Sequence, residues 1–173
     1  MEQKSLLVDI ELCYDCHACE VACKQEHGLA IGTFFIKVKE VGPKWIGRKL
    51  VLNYVPMFCK HCGKPPCIEA CPEDAIYKRS DGVVLIIEEK CTGCRACIEA
   101  CPFGAPQYIP EKNVVQMCDL CIERTDKGQL PACVHHCPTG ALVFGDPNLL
   151  SEQVRQRQAE NIVRERDSAT QSA

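Results

Sequence analysis

The sequence predicts an α+β fold built from four copies of one small unit, with one pair of units inserted inside the other pair. Three observations carry this reading. Sixteen cysteines in 173 residues fall into four groups that share a spacing. A short β-patterned run lies on each side of every group, and a turn signal, RSDG at 79–82, shows which units are neighbours. A chain of this length is one ordinary domain or two small ones, and 46% apolar with 25% charged residues is a globular composition.

The groups are Cys13, Cys16, Cys19 and Cys23; Cys59, Cys62, Cys67 and Cys71; Cys91, Cys94, Cys97 and Cys101; and Cys118, Cys121, Cys133 and Cys137. The first and third read C-x2-C-x2-C-x3-C. The second widens its middle gap to four residues (CKHCGKPPCIEAC) and the fourth to eleven (CDLCIERTDKGQLPACVHHC), while all four keep the first x2 and the last x3.

The elements follow in order. LLVDIE (6–11) precedes group one and FFIKVKEV (34–41) follows it; LVLNYV (50–55) and AIYK (75–78) flank group two. VVLII (83–87) and PQYI (106–109) flank group three, and NVVQM (113–117) and ALVFG (141–145) flank group four. Each unit therefore reads strand, cysteine loop, short helix, strand. RSDG joins AIYK to VVLII as a hairpin, which puts groups two and three together and leaves one and four to pair across them. Alternation in FFIKVKEV and LVLNYV, joined through GPKWIGRK, predicts a hairpin extension over 34–55. Its Lys37, Lys39, Lys44, Arg48, Lys49 and Trp45 suit either a subunit contact or a solvated hairpin. Asp146 and Pro147 read as N-cap and first residue of a terminal helix, SEQVRQRQAENIVRER continues it, and DSATQSA reads as a frayed tail.

The spacing has a chemical reason. A C-x2-C-x2-C loop wraps one face of an iron–sulfur cubane, and its thiolates reach three irons before the chain leaves as a short helix. The fourth cysteine, one helical turn on, points away and ligates the other cluster of a pair. Pro72, Pro102 and Pro138 close three of the groups and end the turn; Lys24 stands in that place after group one. Zinc sites take two separated C-x2-C pairs and have no use for a third cysteine two residues later. A disulfide scaffold needs export, and MEQKSLLVDIELC reads as neither a secretory nor a twin-arginine leader. A thioredoxin-like C-x2-C belongs after a strand in a βαβ unit, and the C-x3-C-x2-C triplet of radical enzymes does not occur.

From about Leu6 to Phe144 the chain resembles the four-cluster ferredoxin-like subunits of molybdenum and tungsten oxidoreductases, the iron–sulfur subunits of the dimethyl sulfoxide reductase kind. The order of the motifs, the eleven-residue gap in the fourth, CRACIEACPFGAPQY and CPTGALVFGD carry the resemblance. It implies two dicluster ferredoxin-like modules, an outer one over 1–41 and 110–146 and an inner one over 50–109, with a helix and tail over 147–173. It also implies four ligand sets: Cys13, Cys16, Cys19 and Cys137; Cys118, Cys121, Cys133 and Cys23; Cys59, Cys62, Cys67 and Cys101; and Cys91, Cys94, Cys97 and Cys71.

The function expected from this is electron transfer through four 4Fe–4S clusters, with no catalytic residue, because four-cysteine ligation leaves no open coordination position. The resemblance implies a large molybdenum or tungsten pterin catalytic subunit and a second redox subunit or soluble carrier as partners. With no export or anchor segment read in the sequence, a cytoplasmic complex is expected, resembling small subunits that accompany tungsten aldehyde oxidoreductases or benzoyl-CoA-reducing enzymes; subunits of the dimethyl sulfoxide, polysulfide and formate systems can instead be exported on a partner's signal. A free-standing polyferredoxin and a zinc-stabilised binding module are the competing functions. The formal charge of −3 falls to about −11 with four loaded clusters, a poor match to nucleic acid. The longest apolar run, VVLII, cannot span a membrane. Lys60, Lys64 and Arg95 lie inside cysteine loops, and solvation is their expected role; His17, His27, His61, His135 and His136 are expected beside clusters or on the surface rather than as ligands.

Overall fold

The computed structural model describes residues 3–171. The chain runs β1 (Ser5–Val8), α1 (Ala18–His27), β2 (Ile36–Ile46), β3 (Lys49–Phe58), α2 (Pro66–Glu69), β4 (Ile76–Lys78) and β5 (Val84–Ile86). After a 3₁₀ turn at Glu88–Lys90 come α3 (Ala96–Ala100), β6 (Gln107–Ile109), β7 (Val114–Gln116), α4 (Ile122–Thr125), α5 (Ala132–His135), β8 (Leu142–Gly145) and α6 (Pro147–Gln171). Every β-patterned run of the sequence forms a strand.

The strands make four two-stranded antiparallel sheets. β1 pairs with β8, Ser5 opposite Gly145 and Val8 opposite Leu142, so segments 134 to 140 residues apart close one sheet. β4 pairs with β5 across the turn at 79–82, where Asp81 Oδ1 accepts the Val83 N–H at 3.3 Å. β6 pairs with β7, and β2 with β3 as the hairpin extension. The result is a mixed fold of small sheets and short helices with a long C-terminal helix.

Four boundaries differ from the sequence expectation, each for a local reason. LLVDIE stops as a strand at Val8 because Asp9 turns the chain: its Oδ1 accepts the Glu11 N–H at 3.1 Å. GPKWIGRK is not a plain connection; Lys44–Ile46 belong to β2, and a bulge lies between Val41 and Lys44. Pro43 has no N–H to give the ladder, and a Cβ on Gly42 (φ +127°) would lie 2.7 Å from the Val51 carbonyl oxygen, so only glycine fits. The gap in group four is not bare loop, since α4 occupies its first residues. Lastly α6 runs through Gln171, past the point where DSATQSA reads as a tail; residues 172–173 lie outside the described ones. Asp146 does cap it, accepting the Asn148 N–H at 2.8 Å.

Helix lengths follow the residue after each fourth cysteine. Proline after Cys71, Cys101 and Cys137 holds α2, α3 and α5 to four or five residues, whereas Lys24 lets α1 continue for ten, through His27. Gly28 then ends α1 in the left-handed conformation, φ 58°.

The core is built around sulfur. Leu120, Val83, Val84 and Val115 are fully buried, and Cys19, Cys23, Cys59, Cys67, Cys97, Cys118, Cys121 and Cys133 are buried with them. Each fully buried Val or Leu contributes about 1.5–3 kcal/mol, so a core with so few of them leaves much of the folding free energy to whatever the thiols bind. The base of α6 is fastened by buried Leu150 and by an Arg157–Asp9 ion pair; its remainder is largely exposed.

Candidate metal centres

Each cysteine loop is shaped by residues in the left-handed region. Asp15 (φ 64°) and His17 (57°) lie in group one, His61 (44°) in group two, Gly93 (69°) and Arg95 (68°) in group three, Leu120 (57°) and Cys121 (51°) in group four. Successive reversals of this kind turn backbone N–H groups toward one concavity, a lining that suits negative charge. Gly93 has no alternative, because a Cβ there would lie 2.5 Å from the Asn113 carbonyl oxygen.

N–H groups do reach the sulfurs. His61 N donates to Cys59 Sγ at 3.4 Å, Ala75 N to Cys71 Sγ at 3.3 Å and Val115 N to Cys91 Sγ at 3.3 Å. Two of these donors belong to strands, Ala75 at the border of β4 and Val115 within β7, so the sheets help orient the sulfurs.

Cysteines gather in fours around small cavities. One is lined by Cys13, Cys16, Cys19 and Cys137 with Val38 and Pro56. A second is lined by Cys59, Cys62, Cys67 and Cys101, and a third by Cys71, Cys91, Cys94 and Cys97. Cys23, Cys118, Cys121 and Cys133 neighbour one another electrostatically and are all buried.

Burial governs these thiols. It pushes Cys19, Cys59 and Cys133 up to about 12 and Cys97 up to about 11, with neighbouring sulfurs adding to the shift, and Cys121 up to about 11, where the carboxylates of Asp119 and Glu26 add to it instead. Cys118 is pushed well above the ordinary thiol value by burial and then by Cys133. Cys137 goes the other way: burial raises it, but hydrogen bonds from Thr139 and from backbone N–H groups outweigh that and lower it. Sixteen free thiols grouped this tightly cannot ionise together without positive charge among them. An all-sulfur donor set, four to a cavity and hydrogen-bonded from the backbone, fits cubane iron–sulfur clusters.

Among the residues singled out beside the ligands, Lys60 places Nζ 3.8 Å from the Phe58 ring centroid and Arg95 stacks 4.0 Å over Tyr108, while Lys64 is simply exposed. His17 sits between Asp15 and Glu20, His61 Nδ1 accepts the Val84 N–H at 2.9 Å, and His135 and His136 meet edge to face. His27 alone among the five brings its ring to a cysteine sulfur in the described contacts. Glu20 was not legible as a site residue: buried at 6% side-chain exposure, it accepts the Val38 N–H and pairs with Lys37, tying α1 to the hairpin beside group one. Its only sequence signal is an acid in the first turn of a helix.

These features define an iron–sulfur protein with several clusters in one small body. A family model described as "4Fe-4S dicluster domain" matches residues 50–147. The chain is 39% identical over 152 residues to the B component of the anaerobic dimethyl sulfoxide reductase of Haemophilus influenzae, covering 83% of this chain and 74% of that one. It is 37% identical over 168 residues to the B component of the sulfite dehydrogenase of Allochromatium vinosum, covering 84% and 70%. Against the B component of the tetrathionate reductase of Salmonella typhimurium it is 36% identical over 143 residues, covering 82% of this chain and 57% of the relative. The chain belongs to the 4Fe–4S dicluster family, among the iron–sulfur subunits of dimethyl sulfoxide reductase type. It binds multiple 4Fe–4S clusters, and its activity is electron transfer rather than catalysis.

Proposed function

We propose that the protein passes single electrons through four 4Fe–4S clusters between a molybdenum pterin catalytic subunit and a second redox partner, a further subunit or a soluble carrier. When bound, each cluster supplies a one-electron store with every iron already ligated. The ligand sets are Cys13, Cys16, Cys19 and Cys137; Cys118, Cys121, Cys133 and Cys23; Cys59, Cys62, Cys67 and Cys101; and Cys91, Cys94, Cys97 and Cys71. Cavities lined by three of these sets, and the mutual proximity of the fourth, support the crossed exchange of last cysteines.

The observation that carries the reading is the spatial order of the sets. Cys133 feels Cys19, Lys60 feels both Cys59 and Cys118, and Cys97 feels Cys67, so the sets adjoin in the order first, fourth, second, third by sequence group. Only the two terminal sets contain an exposed cysteine, Cys16 and Cys94. A conduit with accessible ends and a buried middle matches transfer between two partners.

The same order supports a nested architecture: an outer module over 1–41 and 110–146, closed by the β1–β8 sheet, around an inner module over 50–109. The hairpin over 34–55 ends in exposed Trp45, Ile46, Leu50 and Leu52 ringed by Lys44, Arg48 and Lys49, which supports docking to the catalytic subunit. Among the described residues no helix is long and apolar enough to cross a membrane. Tungsten in the partner and a cytoplasmic setting form the second version of this proposal.

Anaerobic isolation of the tagged chain from its own cells tests the reading. A co-purifying large subunit with pterin-bound molybdenum is expected, tungsten selecting the second version. A chain that isolates alone, monomeric and fully loaded, contradicts it in favour of a free polyferredoxin.

A further inference from the structure

We infer that His27 is a positioning residue for the cluster held by Cys118, Cys121, Cys133 and Cys23, donating its Nε2–H to the Cys121 sulfur and raising that cluster's reduction potential. The inference rests on the proposed ligand role of Cys121.

His27 exists at this place because Lys24, not proline, follows Cys23. The longer α1 carries the ring across to group four, 94 residues away in sequence, and sets Nε2 3.4 Å from Cys121 Sγ. The ring is held there. Its side chain is 19% exposed, and its face tilts against Phe35 with centroids 5.4 Å apart. Cys121 is itself fixed by Asp119, whose Oδ1 accepts the Cys121 N–H at 2.8 Å.

The same Asp119 oxygen lies 3.6 Å from His27 Nε2. One ring nitrogen thus faces two electron-rich atoms, a carboxylate oxygen and a ligand sulfur. A lone pair there would be repelled by both, so the proton of the imidazole resides on Nε2 in the neutral ring. His27, Asp119 and Cys121 lie close enough to share an ion. The x2 spacing from Cys118 and the nearness of Cys133 assign the sulfur of Cys121 to the proposed cluster instead.

An N–H directed at a ligand sulfur draws electron density from it and stabilises the form that carries the extra electron. The reduction is one electron from the neighbouring donor to the cluster; the His27 proton stays on Nε2 throughout. This bond comes from a side chain, unlike the backbone N–H···S bonds to Cys59, Cys71 and Cys91. It is therefore open to substitution without rebuilding a loop.

The test is an EPR-monitored redox titration of the loaded protein with His27→Phe, which keeps a ring against Phe35 but no donor, and His27→Gln, which keeps an N–H. A shift of one potential to lower values in the Phe variant, the others unmoved, with the Gln variant closer to the parent, is the expected result. Four unchanged potentials overturn the inference, as do equal shifts in both variants or loss of the cluster in both, since those mark a packing role. The ligand reading fails separately: Cys121→Ser that leaves every cluster intact removes Cys121 from the set.

Discussion

The cysteines around Cys118 and those around Cys16 occupy contrasting environments. Cys23, Cys118, Cys121 and Cys133 are all buried, whereas Cys16 is exposed and Cys13 and Cys137 are half-buried. Exposed Tyr14 lines the cavity of the second set, and Ile10 and Leu12, just before it in sequence, are exposed apolar side chains too. In the proposed conduit the difference separates two duties. A cluster that exchanges electrons with another protein must lie near the surface, and one that only relays them is better kept from water, where its potential is set by the protein's own hydrogen bonds and charges.

The largest effects should come from breaking the buried set. Cys118→Ser leaves a hydroxyl at a buried position proposed to hold a metal-bound sulfur, so little folded protein should accumulate, read as soluble yield. Cys16→Ser, at the surface, should yield folded protein with one altered cluster. Equal yields from the two would erase the contrast.

Next in size is the crossed exchange. Cys137→Ser should damage the cluster of Cys13, Cys16 and Cys19 and spare that of its sequence neighbours Cys118, Cys121 and Cys133, each with its own EPR signature. The reverse pattern would leave the cluster count intact while overturning the pairing.

Trp45→Ala comes third. At 71% exposure Trp45 contributes little to this chain's own core, so the variant should load all its clusters yet bind the large subunit about tenfold or more weakly, measured by co-purification. The smallest effect belongs to Asp126→Asn, at an exposed ion pair. Hydrogen bonds from Arg79 and then Lys4 hold the Asp126 carboxyl well below the usual carboxylate range. A depressed native pKa contributes stability that is full above the unfolded value of about 3.9 and fades as pH falls through the native one. The variant should melt slightly lower than the parent at neutral pH, and the gap should narrow below about pH 4. The group is exposed, so the effect is small.

Much of this was legible in the residues because the chemistry is local. Cysteine spacing announces its loops, and β-branched runs between turn residues located all eight strands. What escaped depends on distance or on side-chain space. The bulge at Gly42 answers to the Val51 carbonyl across the hairpin, and the end of β1 to a side-chain turn at Asp9. Helix α4 lies in a gap whose length alone was readable. Glu20 is an ordinary helix acid until the fold buries it against the Val38 N–H, and His27 is an ordinary histidine until a helix longer than its counterparts carries it to Cys121.

The central claim is that the sixteen cysteines bind four cubanes. Iron and acid-labile sulfide counted per chain, on protein prepared without oxygen, test it most directly. About sixteen of each, in a brown protein that bleaches on reduction, is the predicted result; a colourless protein holding zinc or no metal contradicts it.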